Sequence, residues 1–479
     1  MRLMRTPAVD ARFAPVGPQP GQDVRSTDNW SRRAAVALAF APMPWIMRLF
    51  AFVHFAGIRA THVERFPRRG PAILVANHPA TWADVLVLHV VLGRKLHFLA
   101  EQHLFRPRVR AWLLRIFGTL PVFTVGEAAE RETRNADTFR RCRQVLERGE
   151  VVAIFPEGVS ETDRSLRRFK TGAARIALAG LEGAQPVPVV PIGIHYLDRV
   201  AFRTRVVVSL GEANRLPPLP GPDAADRIAW IAKVTARLEE AVGALILDLP
   251  RASLRTVVEE LAPLVVAGFA SDEDALENAR WIAGRMSALE RERPPDFAAI
   301  ARCARRHRRL RKALGLALVV PVRVSGARFA ALALATFVGA VPAMAGLALH
   351  ALPAWITQHV ARHFDPTRVT LMRIGVGWVS FTLWYVTMTG VAWLLMRNAS
   401  ALAAPFAAAI LGAFALVWSD AWRELRARLL WGMAHRWRPR AVALLRREQD
   451  TLLALLAESM APRPSASPAG ASAVREMVR

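Results

Sequence analysis

Three long runs without a charged residue, Phe329–Leu349, Ile374–Met396 and Ala399–Trp418, constrain this chain more than any other feature. Each has about the length that a helix needs to cross a hydrocarbon core, roughly 20 residues. Eight of the fourteen tryptophans lie beyond residue 351, and Trp355, Trp418 and Trp422 sit near the run ends, where interfacial belts form. Residues 328–420 therefore read as a transmembrane region. The stretch Arg302–Lys312 carries seven Lys and Arg and no acid, and Arg423, Arg426, Arg428, Arg436, Arg438 and Arg440 follow the last run. Both blocks ask for the cytoplasmic side, which an odd number of crossings cannot satisfy. Pro342 lies inside the first run and Pro353 just beyond it, so that run reads as a re-entrant or interfacial element. The other two form a helical hairpin around the Arg397-Asn398 turn.

A length of 479 residues suggests two or three folding units. The net charge of +26 calls for a polyanionic partner, anionic lipid or nucleic acid. A mean hydropathy of +0.21 favours lipid, and the basic runs lack the interleaved aromatics on which bases stack, so no nucleic-acid partner is expected. Cys142 and Cys303 stand far apart, which argues against a disulfide framework or a cysteine-rich metal site and suits a reducing compartment. Arginine outnumbers lysine 61 to 4, a bias that points to a GC-rich bacterial source.

Residues 1–32 read as a flexible polar tail and 33–60 as an interfacial helix, since Pro42, Pro44 and Arg48 interrupt the apolar run there. From 61 to 216 the rhythm is that of an α/β domain. Strands are expected at Ala72–Ala76, Leu120–Phe123, Val151–Phe155, Val187–His195 and Val206–Leu210, with helical periodicity around Trp82–Leu92, Leu104–Ile116, Ala136–Leu146 and Thr171–Leu181. The proline-rich stretch 216–222 marks a domain edge. Beyond it come a helical basic region (223–327), the transmembrane region, a basic amphipathic helix (421–460) and a flexible tail (461–479).

The strand Ala72–Ala76 runs into Asn77-His78, placing a histidine at a strand's carboxyl end, where open α/β sheets hold their sites. Five residues separate His78 from Asp84. With Trp82 opening a helix, Asp84 falls in its first turn and points back at the imidazole, the arrangement of a general base. Thr81 with Asp84 also fits a capping box, the purely local reason for an acid there. Val151–Phe155 ends in Pro156-Glu157-Gly158, which delivers a second carboxylate to a strand end. Arg164, Arg167, Arg168 and Lys170 follow as candidate anion ligands, or as a solvated surface cluster. Pro191 implies that its strand lies at an edge or carries a bulge, and Gly193 admits a close approach of substrate or backbone.

Taken in chain order, these blocks resemble the glycerolipid acyltransferase family typified by the bacterial 1-acylglycerol-3-phosphate acyltransferases. Asn77-His78 with Asp84 looks like its first motif, Phe155-Pro156-Glu157-Gly158 like its third, and Val190-Pro191-Ile192-Gly193 like its fourth. The five-residue spacing and Lys170-Thr171-Gly172-Ala173-Ala174-Arg175-Ile176 resemble the branch of fungal-type glycerol-3-phosphate and dihydroxyacetone-phosphate acyltransferases. The resemblance covers residues 60–215 closely. It implies a central mixed sheet flanked by helices, followed here by the C-terminal helical membrane region. It also implies a membrane-bound enzyme of the inner, cytoplasmic membrane with its catalytic domain facing the cytoplasm. That enzyme would move a fatty acyl group from acyl-CoA or acyl carrier protein to a hydroxyl of glycerol 3-phosphate or 1-acylglycerol 3-phosphate, in phospholipid biosynthesis.

In that scheme His78 is the base and Asp84 its orienter, while Asn77, Glu157, Gly158, Lys170, Pro191 and Gly193 belong to the substrate-binding set. No metal or cofactor is implied beyond the thioester co-substrate, and membrane lipids are the expected partners. The family's second motif carries an arginine soon after a Gly-x-x-Pro turn, to hold the acceptor phosphate. Here Gly118-Thr119-Leu120-Pro121 is followed by no arginine until Arg131. Phosphate recognition then falls to Arg131, Arg134 or Lys170, or else the acceptor lacks that phosphate. The missing arginine equally motivates a lipid-binding scaffold that turns nothing over.

Overall fold

The computed structural model describes residues 43–106, 108–124, 128–158, 166–181, 187–199, 201–214, 216–219, 221, 223–249, 251–265, 272–316, 326–364, 369–397 and 399–460, with the backbone alone at 109, 110, 113, 116, 128–132, 272–274, 399 and 460. The expected tails, 1–32 and 461–479, lie outside these residues. The chain divides into two compact units. One holds the described residues before Thr162 together with Leu166–Ile246 and Ile356–Val379, and the other holds Leu247–Trp355 and the residues from Ser380 onward.

The first unit is built on a seven-stranded mixed sheet: β1 (Phe55–Thr61), β2 (Ala72–Ala76), β3 (Leu96–Glu101), β4 (Leu120–Val122), β5 (Val151–Ile154), β6 (Val189–Tyr196) and β7 (Thr204–Leu210), in the spatial order β1-β7-β6-β2-β5-β3-β4. Strands β6, β2, β5, β3 and β4 run parallel, while β7 pairs antiparallel with β6 and parallel with β1. All five residues of β2 are buried, as an uninterrupted Ala-Ile-Leu-Val-Ala run requires of a strand covered on both faces. Leu74 packs on one side with Val87 and Leu88 of α2 (Trp82–Leu92). Ile73 and Val75 pack on the other with Val145 of α4 (Ala128–Glu147), Ile176 of α5 (Gly172–Leu181) and Leu238 of α6 (Ala224–Gly243).

Three expectations need correction. The helix expected across 33–60 is, in its described part, α1 (Met43–His54), after which the chain turns into β1. Ladder bonds to β7 satisfy that backbone, and Phe55 is buried in the core beside Tyr196. Pro191 lies in a central strand, so of its two expected settings the edge fails, while the pairing shifts by one residue between Val189↔Asn214 and Ile192↔Leu210, the irregularity that the other setting called for. The ladder with β7 starts only at Ile192↔Leu210, and Pro191 O accepts from Gly211 N at 2.9 Å, so the missing N–H falls where no ladder bond is called for. The compact unit also does not end at the proline-rich stretch. Trp230 of α6 donates back across it to Pro218 O at 3.0 Å, and α6 closes the second face of the sheet.

The second unit is helical. Its described core joins α7 (Ala252–Val265), α8 (Asp272–Glu292), α9 (Pro294–Ala313) and the C-terminal α15 (Pro439–Met460). The basic run lies on α9, and part of it turns into this bundle: Arg306 pairs with Glu448 at 2.9 Å, Arg308 with Glu259 at 3.4 Å and Arg311 with Glu260 at 3.0 Å. The expected amphipathic helix 421–460 is instead the end of α14 (Ala403–Trp437) plus α15, separated at Arg438, with Pro439 at the helical start it favours. Two helical stretches, Val369–Met396 (α13), which belongs to the first unit as far as Val379, and Ser400–Trp437, are long and apolar enough to cross a membrane. The Phe329 run forms α10 (Gly326–Val338) and α11 (Ala340–Leu349), bent by 49° at Gly339. Gly346 lets α11 approach the backbone of Leu411 on α14 closely, as small residues do between membrane helices.

Candidate active site

The parallel strands β2, β5 and β6 deliver their carboxyl ends to one edge of the first unit, and each brings a polar group there. His78 follows β2, Glu157 follows β5, and Tyr196 closes β6. Between His78 and α2, Thr81 takes a left-handed φ of 52°. That turn starts the helix with Asp84 aimed back over the loop. Asp84 is fully buried, and its Oδ2 accepts from His78 Nδ1 at 2.9 Å and from the Ala80 N–H at 2.8 Å. Tyr196 O–H donates to the other oxygen, Oδ1, at 2.7 Å. The carboxylate is therefore saturated by three donors and cannot swing away. Burial, and then the Asp84 charge, push the Tyr196 hydroxyl far above its usual pKa, so it stays a donor. The capping-box reading of Thr81 and Asp84 fails: Thr81 makes no side-chain cap bond.

With its Nδ1 proton committed to Asp84, His78 presents the Nε2 lone pair outward, the tautomer of a general base. The ring is held flat by Phe155, stacked at 4.0 Å with 9° between planes, and Phe98 stacks behind Phe155 at 5.5 Å.

The other expected residues serve in different ways. Asn77 is buried and spends both ends of its amide on Ile194, accepting from N–H at 2.7 Å and donating to C=O at 3.0 Å, which ties the end of β2 to β6. Glu157 Oε1 accepts from the His78 N–H at 2.9 Å and Oε2 from the Arg167 N–H at 3.4 Å, so this carboxylate joins two loops. Burial raises its pKa, partly offset by those two N–H donors. Gly158 has φ +72°, and a side chain there would collide with the Lys170 ammonium, which lies over the Pro156-Glu157-Gly158 turn. Lys170 thus stands beside the site, as anticipated.

Gly193 packs against the chain itself. A Cβ at this position would meet Leu245 O at 2.6 Å, so the close approach that it permits is to backbone, and Pro191 lies in the same buried run. Arg134 is exposed on α4 with its guanidinium 5.4 Å from the Phe123 ring centroid, at the carboxyl end of the edge strand β4. That is three strand spacings, about 14 Å, from β2. The side chain of Arg131 lies outside the described residues. Sequence reasoning missed Tyr196 and Phe98. Tyr196 is one of only two tyrosines in the chain, at the end of an apolar strand, and that rarity was the available signal.

A family model described as Acyltransferase matches residues 57–195, which contain His78, Asp84, Phe155 and Glu157, with Tyr196 one residue beyond. Over these residues the chain is similar to the glycerolipid acyltransferases. Relatives of its acyltransferase domain include a chloroplastic 1-acyl-sn-glycerol-3-phosphate acyltransferase of Arabidopsis thaliana, 28% identical over 31% of this chain and 40% of its own. A lyso-ornithine lipid O-acyltransferase of Rhizobium meliloti is 30% identical over 38% of this chain and 63% of its own. Glycerol-3-phosphate O-acyltransferase 2 of Saccharomyces cerevisiae is 43% identical over 16% of this chain and 11% of its own. The chain thus spans less than two thirds of each of these relatives. A crystal structure of a 1-acyl-sn-glycerophosphate acyltransferase from Thermotoga maritima, 19% identical, aligns with 44% of this chain and 83% of its own at a TM-score of 0.33.

Proposed function

We propose that this chain transfers a fatty acyl group from a thioester, acyl-CoA or acyl carrier protein, to a hydroxyl of a glycerolipid-type acceptor at the cytoplasmic face of the inner membrane. One observation carries the reading: His78 Nδ1 is locked 2.9 Å from a buried Asp84 that two further donors hold in place. His78 Nε2 takes the proton of the acceptor hydroxyl as its oxygen attacks the thioester carbonyl. The Asp84 charge stabilises the imidazolium that forms. The tetrahedral intermediate collapses, the C–S bond breaks, and the leaving sulfur receives the proton back from His78. Direct attack of this kind uses no serine or cysteine acyl-enzyme.

Membrane association is supported by the two spanning-length helices and by α1, whose exposed side carries Trp45, Leu49 and Phe52, a face suited to the headgroup boundary. Lys170 over the Glu157-Gly158 turn is the cation best sited for an acceptor phosphate. A second reading keeps the chemistry and changes the acceptor. Phe123-Thr124, where the family's phosphate-binding arginine would follow, has none, and a relative is named for lyso-ornithine lipid instead of a glycerol phosphate.

Isolated membranes supplied with labelled acyl-CoA or acyl carrier protein, and with glycerol 3-phosphate, 1-acylglycerol 3-phosphate or an unphosphorylated lyso-lipid, test both readings. Transfer lost in His78→Ala supports the mechanism, and the acceptor used decides between the readings. A folded chain without His78-dependent transfer to any acceptor overturns both and favours a lipid-binding scaffold.

A further inference from the structure

The first unit also holds a cavity of about 380 Å³ that acyl transfer leaves without a task. It opens at the amino ends of the parallel strands. Lys95 and His97 stand at the start of β3, where Leu96 pairs with Val151, the first residue of β5. His78 and Glu157 follow the other ends of these strands, so the run from Val151 to Phe155, about 13 Å, separates the two places. Its volume falls within the roughly 300–1,000 Å³ of small-molecule sites.

Four cationic side chains line it: Lys95, Arg115 from the end of α3 (Arg108–Ile116), Arg141 from α4, and Arg148 from the turn just after α4. Glu150 faces three of the basic groups, 3.6 Å from Lys95, 3.2 Å from Arg148 and 3.1 Å from His97 Nε2. Burial alone would raise the Glu150 pKa, but the His97 hydrogen bond and the neighbouring cations hold it at about 2. One charge is thereby neutralised. Among the described residues, the guanidinium groups of Arg115 and Arg141 have no ion-pair partner. The floor is built tightly: His97 Nδ1 lies 2.9 Å from Gly118 O, and a Cβ on Gly118, already at φ +69°, would meet the imidazole at 2.6 Å. Phe105, Leu120 and Val145 add an apolar wall beside the cations. Two planar forks, an ammonium and an apolar wall in one cavity match phosphates joined to a ring system.

We propose that this pocket binds a nucleotide-type polyphosphate, with Arg115, Arg141 and Lys95 on the phosphates and the Phe105–Leu120–Val145 wall against the base. Two sources carry that chemistry: the nucleotide end of coenzyme A, which rests on the acyl-transfer reading above, and a free nucleotide that regulates the enzyme. The full chain in detergent micelles is titrated calorimetrically with coenzyme A, ATP and inorganic phosphate. The variants are Arg115→Ala/Arg141→Ala and, as control, His78→Ala. Arg115 and Arg141 are exposed and have no ion pair among the described residues, so their removal leaves the fold intact.

The expected result is nucleotide binding weakened about a hundredfold in the double variant, near tenfold per charged hydrogen-bond donor lost, and unchanged in His78→Ala. Preference for coenzyme A assigns the pocket to the donor and predicts a raised KM for acyl-CoA at constant kcat in the double variant. ATP bound as well or better assigns it to a regulatory nucleotide. Affinity that survives the double substitution, or binding of inorganic phosphate alone, overturns the proposal. Binding is read directly, so a chain that binds nucleotide yet transfers no acyl group refutes the catalytic reading and spares this one.

Discussion

Replacing Asp84 by Asn tests the site at its most specific point. The new amide keeps the shape of the carboxylate but has one acceptor and one donor end. In a serine-protease triad the same exchange inverts the histidine tautomer and costs about 10⁴ in kcat. Here the surroundings forbid that inversion. The position of Oδ2 receives two donors, the His78 ring and the Ala80 N–H, whereas Oδ1 receives only the Tyr196 hydroxyl. A backbone N–H cannot become an acceptor, and a hydroxyl can. The amide must therefore place its oxygen toward His78 and Ala80 and its NH₂ toward Tyr196, which preserves the catalytic tautomer. What is lost is the negative charge opposite the imidazolium, the difference between a charge-assisted hydrogen bond of about 1.5–3 kcal/mol and a neutral one near 1 kcal/mol. At 1.36 kcal/mol per decade this predicts a fall in kcat of roughly 3- to 30-fold. Asp84→Ala, which frees the ring altogether, falls toward the His78→Ala level. The assay is labelled acyl transfer by purified enzyme at saturating donor and acceptor. A loss of about 10⁴ for Asp84→Asn would refute the orienting role given to the Ala80 N–H, and wild-type activity would refute the charge role given to Asp84.

Tyr196→Phe leaves a buried carboxylate oxygen without its donor, so stability drops by about 1–3 kcal/mol, visible as a lower unfolding midpoint in denaturant. No change in the midpoint would show that the Asp84 bond contributes nothing. Gly193→Ala drives a methyl against Leu245 O and costs about 1–3 kcal/mol with little change in the KM of either substrate, whereas a selective rise in KM would restore Gly193 to the binding site. Glu150 supplies a pH test. Its folded pKa, about 2, lies below its ordinary 4.5, so its stabilising contribution is complete above pH 4.5 and disappears as the pH falls through 2. Glu150→Gln should flatten the acid limb of stability between those values, and an unchanged limb would disprove the coupling.

Legibility in the sequence followed the range of the interaction. The strand Ala72–Ala76 and the helix Trp82–Leu92 were readable to the residue, because burial on both faces and helical periodicity are properties of short windows. The His78–Asp84 pair spans six positions, so its geometry followed from where the strand ends and the helix begins. Strands β1 and β3 were missed. Phe55–Thr61 continues an apolar run that has no period-two signal, and Leu96–Glu101 carries His97 and Glu101 within a short strand. Pro191 left two settings open, an edge or an irregular ladder, and only the strand order decided between them.

By itself, then, the sequence determined the apolar helices of the C-terminal part, the α/β character of residues 61–216, and the delivery of His78 and Glu157 to strand ends. These follow from local pattern, since a strand's length sets where its last residue points. Only the tertiary structure decided which groups meet there. Tyr196 reaches Asp84 across 112 positions, Phe155 stacks on His78, Leu245 fills the space above Gly193, and three segments bring Lys95, Arg115, Arg141 and Arg148 around one cavity. Such contacts depend on strand order and helix crossing, which are set by how whole buried faces fit together and leave no periodic trace in any single stretch of chain.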